Sequence, residues 1–156
     1  MSVTTILKQG FAFLRVDYGL KYRRTPSDKW DRRWVPSVSF ADEKVGVLVE
    51  YDARDEYLDV CIFDLKGGAF PMRAGRIDSA QGYTLNAAAY LAGPDHTVGS
   101  WRDEIAKASG VELDFAEYVS LVARQLTKFA DDLLKGDFSR ADEIRRAKDQ
   151  MRARHP

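Results

Sequence analysis

The chain has 156 residues, 45% of them hydrophobic and 31% charged, with 24 basic and 24 acidic side chains and a formal net charge of zero. That length and composition suit one domain with a sizeable core and argue against disorder. A balanced charge provides no global field toward nucleic acid or a membrane surface, and no apolar run is long enough to span a bilayer.

Residues 4–18 carry Leu7, Phe11, Leu14 and Tyr18 at helical spacing, which predicts an amphipathic helix stopped by Gly19. Gly10 weakens that helix. The segment 21–33, with Lys21, Arg23, Arg24, Lys29, Arg32 and Arg33 around Pro26, Ser27 and Asp28, reads as a basic loop. Period-2 alternation and β-branched residues then predict strands over 36–42, 45–52 and 57–64.

Register follows from the same pattern. A turn between Arg54 and Asp55 sets Tyr51 opposite Leu58, Val49 opposite Val60 and Val47 opposite Ile62. A turn between Glu43 and Lys44 adds Phe40 opposite Val47 and Val38 opposite Val49. One face of a three-stranded antiparallel meander is then uniformly apolar, and slipping by one residue would mix the faces. Helices should cover that face.

Residues 66–82 are rich in glycine and turn formers, with room for an edge strand near Phe70–Arg73. Short helices are predicted over 83–92, ending at Gly93, and over 101–108, opened by Ser100 with Asp103 and ended by Gly110. Asp114 and Glu117 form a capping pattern before Phe115, Val119, Val122, Leu126, Phe129 and Leu133, the longest predicted helix, which Gly136 stops. A last, mostly charged helix over 140–153 has a thin stripe of Ala141, Ile144, Ala147 and Met151. It is expected to dock loosely at the chain end, with packing on a partner as the alternative.

Catalytic signatures are sparse. His96, His155 and Cys61 show no metal-ligand spacing, and Cys61 sits mid-strand like a small buried hydrophobe. No nucleophile elbow, phosphate loop or calcium loop occurs, so no cofactor is expected. Trp30 and Trp34 flank Arg32 and Arg33, a pattern that fits either single-stranded nucleic acid or tryptophans anchoring a loop. The anchoring reading fits better with zero net charge. A lone cysteine and the lack of a signal peptide point to a reducing, cytoplasmic setting.

The acidic hairpin stands out. Asp42, Glu43, Glu50, Asp52, Asp55, Glu56, Asp59 and Asp64 are offset only by Lys44 and Arg54. The deduced register places Glu50 directly against Asp59 on the second sheet face, and like charges so placed are mutually destabilising. Solvent, the chain's own arginines, with those of the basic loop foremost, or a cationic partner could offset them. The candidate partner-binding residues are therefore Glu50, Asp52, Asp55, Glu56, Tyr57 and Asp59, with Tyr57 or Phe63 as an aromatic anchor.

The helix ending in Tyr18-Gly19, the strand Val49-Glu50-Tyr51-Asp52, the stretch Asp55–Val60 and the closing Leu134–Phe138 resemble a class of small, uncharacterised bacterial α+β proteins. Members of that class are often regarded as immunity proteins for polymorphic toxins. The resemblance supplies no catalytic residue and implies a binding role. The sequence thus predicts a single α+β domain over 1–156, with an N-terminal helix, a three- or four-stranded meander and a helical C-terminal half on one sheet face. Its expected function is non-enzymatic binding of a basic protein. The alternative is a ligand-binding protein or enzyme with a pocket between sheet and helices that includes Asp95, His96 or Trp101.

Overall fold

A computed structural model describes residues 1–23, 35–93 and 114–154. The fold is α+β. Helices α1 (Val3–Gly10) and α2 (Phe13–Tyr18) lead into strands β1 (Lys21–Arg23), β2 (Ser37–Ala41), β3 (Val45–Asp52) and β4 (Tyr57–Asp64). A small hairpin, β5 (Met72–Arg73) and β6 (Arg76–Ile77), precedes β7 (Tyr83–Thr84). Three helices follow among the described residues: α3 (Leu85–Ala92), α4 (Phe115–Leu134) and α5 (Ala141–Arg154).

The main sheet has the order β1-β2-β3-β4-β7 and is antiparallel throughout. Its central register is the one deduced from alternation. Val49 pairs with Val38 and Val60, Val47 with Phe40 and Ile62, and Tyr51 with Leu58. Those side chains, apart from the partly buried Tyr51, are closed off from solvent beneath α1, α3 and α4. Side chains build both connecting turns. Asp42 Oδ1 accepts from the Lys44 and Val45 amides, each at 2.7 Å, and Asp52 Oδ1 accepts from Arg54 N at 2.9 Å. A short polar side chain thus supplies the acceptor that a tight turn leaves missing.

Several features depart from the sequence reading. The N-terminal helix is broken after Gly10, although Leu7, Phe11 and Leu14 still share one fully buried face. Gly19 is the stop the sequence predicted, ending α2 in the left-handed region at φ 71°. Lys21–Arg23, placed in a loop by the sequence, is a strand on β2, while the remainder of the basic loop with Trp30 and Trp34 lies outside the described residues, as does the predicted helix 101–108. The strand expected near Phe70–Arg73 exists only as two residues of the separate hairpin.

The largest departure concerns the second sheet face. Ala41, Leu48, Cys61, Phe63 and Leu65 form a second small core there, roofed by Phe70 and Ile77. Phe70 meets Phe63 edge-on at 5.3 Å between ring centroids. It also lies so close to Gly46 that a Cβ there would stand 2.5 Å from Phe70 Cε1, which explains a glycine in mid-strand. The stripe of α5 is also occupied by the chain itself: Ile144 and Ala147 are each 1% exposed, and Arg145 lies over the Tyr83 ring at 4.8 Å.

Candidate functional site

Six residues were singled out, and the β3–β4 hairpin brings all of them to one end of the sheet. Asp52, Asp55 and Glu56 belong to the turn and its flank; Glu50, Tyr57 and Asp59 lie just behind it on the paired strands. Their roles differ. Asp52 is a turn-forming acceptor, and its carboxyl is held below the ordinary range mainly by the Arg54 amide. Asp55 and Glu56 are exposed at the tip, with Glu56 at φ 52°.

Glu50 and Asp59 sit opposite each other and are half-buried. Tyr51 N donates to Pro36 O, away from β4, and Leu58 N donates to the Tyr118 hydroxyl, away from β3. Tyr51 and Leu58 are therefore a non-hydrogen-bonded pair, and the alternation of an antiparallel ladder makes Glu50–Asp59 the hydrogen-bonded pair beside it. The backbones lock the two carboxyls on one face, and strand slip cannot separate them.

Burial pushes the Glu50 carboxyl above its ordinary pKa, and the Asp59 charge adds to that, while Arg76 opposes it. Asp59 is pushed up by burial, against the pull of Lys148, the Cys61 thiol and the Val60 amide. Among the described residues, the cations acting on this pair come from the β6 strand and from α5. The sequence reading looked instead to the basic loop. Its described members Lys21 and Arg23 pair with Ala41 and Ser39, whereas Glu50 stands opposite Ser37.

Around the pair the chemistry is quiet. Cys61 Sγ lies 3.9 Å from Asp59 Oδ2, and burial holds its thiol well above the ordinary range, so it stays protonated rather than nucleophilic. The Tyr57 hydroxyl accepts from Asn86 Nδ2, and burial raises its pKa. Phe63, considered as an anchor, is 1% exposed beneath Phe70 and is unavailable to a partner. Tyr57 alone remains as an aromatic at the rim.

Sequence reasoning did not find Arg76, Lys148 or Asn86, because each is brought in by tertiary packing. A signal for the covered second face did exist: Leu48, Cys61 and Phe63 all project to it.

A separate groove of about 530 Å³ opens between α3, α4 and α5, lined in part by Leu91, Lys128, Phe129, Asp132, Arg140 and Glu143. Its strongest polar groups are committed to each other: Arg140 Nε and Nη2 donate to Asp132 at 2.6 and 2.7 Å, and Nη2 also donates to Phe129 O at 3.0 Å. That carbonyl precedes Ala130, where the helix departs from helical geometry. Asp95, His96 and Trp101, named for a pocket between sheet and helices, lie outside the described residues. Among the described residues, no three His, Cys, Asp or Glu side chains are placed to hold a metal ion, and no helix is long and apolar enough to cross a membrane. No family model, curated protein or solved structure matches the chain.

Proposed function

We propose that the protein is a non-enzymatic protein-binding module, of the immunity or inhibitor kind that its sequence resemblance implies, acting in the cytoplasm on a basic protein such as a toxin. The observation that supports this reading is the concentration of acid at one end of the sheet. Asp55 and Glu56 project at the tip, and Glu50 and Asp59 stand behind them on one face, in an arrangement that is unfavourable for the fold by itself. Retaining repulsive carboxylates is intelligible where a partner's lysine or arginine meets them. Charge complementarity of this sort speeds encounter and fixes orientation. Tyr57 at the rim supplies apolar contact of the type that anchors an interface.

The test is capture of the partner from the native host, followed by affinity measurement with the Asp55→Lys/Glu56→Lys variant. Both positions are exposed, so the fold is retained. Loss of affinity by tenfold or more, corresponding to about 1.4 kcal/mol, with a flatter salt dependence, is expected. Affinity equal to that of the unaltered protein at low salt rejects the reading.

A further inference from the structure

We propose that Glu50 and Asp59 make the hairpin end of the sheet pH-responsive: with a carboxyl protonated the fold tolerates the half-buried pair, and once both are ionised they strain it. The inference concerns the isolated fold and holds whether or not a partner docks at this end.

The geometry carries it. The two side chains share one face of a backbone-locked pair, half-buried, with the second core directly behind them in Leu48 and Cys61. From β3 and β4, Glu50 and Asp59 face each other and the neutral Tyr57 and Cys61 groups. From β6, Arg76 acts on Glu50; from α5, Lys148 acts on Asp59. Among the described residues, each carboxyl thus has a cation from a peripheral element, and both cations compete with the loss of water around the pair. Desolvation wins, since both carboxyls are shifted upward in spite of the cations.

The direction of the pH effect follows. An acid whose pKa is higher in the folded chain than in the unfolded one binds its proton more tightly when folded. Its contribution is fully present below the unfolded value and is lost as pH rises through the folded value. Each such proton weakens the folding equilibrium by up to about tenfold per pH unit across that window. When the proton leaves, it goes to solvent, and the two anions remain fixed against each other between Arg76 and Lys148. Such a pair makes the hairpin end most rigid in mildly acidic solution, the reverse of ordinary acid sensitivity.

Side-chain carboxyl NMR of the unaltered protein tests this directly, together with urea unfolding across pH for Glu50→Gln and Asp59→Asn. At least one of the two carboxyl carbons should titrate above the ordinary carboxylate range. In Asp59→Asn the Glu50 midpoint should fall, since the Asp59 charge is one of the causes that raise it, and both variants should lose the decline in stability on the alkaline side of the titration. Ordinary midpoints for both groups overturn the proposal. So does a Glu50→Gln stability profile that runs parallel to the unaltered one. If a variant fails to fold, the titration of the unaltered protein decides alone.

Discussion

Replacing Gly10 with alanine sets two effects of opposite sign against each other. Helix propensity favours alanine by at most about 1 kcal/mol, and less at the last position of a helix. Packing opposes it. An alanine Cβ at position 10 would overlap Val119 Cγ1, with Val119 Cβ at 3.5 Å. Val119 is fully buried in α4, and a valine in a helix has one strongly preferred rotamer, so it cannot simply turn aside. The remaining relief is to push α1 outward and uncover Leu7 and Phe11, both fully buried. Overpacking of this kind costs about 1–3 kcal/mol. The expected net result is destabilisation by about 1–2 kcal/mol, equivalent to some 2–4 °C in Tm per kcal/mol for a chain of this size. Urea unfolding followed by circular dichroism measures it. Combining Gly10→Ala with Val119→Ala should recover part of the loss, with a coupling energy of about 1 kcal/mol between the sites. An increase in stability for Gly10→Ala, or strict additivity in the double variant, refutes the packing argument.

Two further substitutions address hydrogen bonds at element ends. Tyr118→Phe removes the acceptor for Leu58 N, a buried donor 3.2 Å from the hydroxyl, and should cost about 1–3 kcal/mol while speeding amide exchange at Leu58. Arg140→Ala removes the paired bonds to Asp132 and the bond to Phe129 O, and should cost about 1–2 kcal/mol by thermal unfolding. Because Arg140 holds the Asp132 carboxyl below its ordinary range, this stabilisation is present above the unfolded carboxyl value and is lost as pH falls through the folded one. The Arg140→Ala penalty should therefore shrink in strongly acidic solution.

Much of the architecture was legible because one repeating signal decided it. Alternation through Val47, Val49, Val60 and Ile62 leaves a single acceptable register, and that register places Glu50 against Asp59. Asp114 likewise announces α4 and caps it, accepting from Glu117 N at 2.8 Å. Alternation says less about what lies above a face. Glu50 and Asp59 drew the reading of the second face toward solvent, the chain's own arginines or a partner, whereas Leu48 and Phe63 lie in the same rows beneath a glycine-rich segment with no periodicity to reveal it. Two cations at the pair were hidden from the sequence for a related reason. Arg76 and Lys148 reach the pair through the docking of β6 and α5, and no local spacing encodes that contact. A three-residue charged strand such as Lys21–Arg23 is also too short for any period to register.

The free edge of β4 has a consequence for self-association. Among the described residues, β7 covers Cys61 and Ile62, and side chains instead of another strand meet the edge nearer the turn. The Tyr118 hydroxyl takes the Leu58 amide, and the Asp59 carboxyl takes the Val60 amide. A strand from a second molecule arriving there would find both donors engaged and a half-buried acid in its path. Sheet edges that offer free amides recruit other chains into aggregates, and an inward-turned charge is one of the devices that prevents it. The same carboxylate that strains the hairpin end thus guards this stretch of β4 against edge-to-edge pairing.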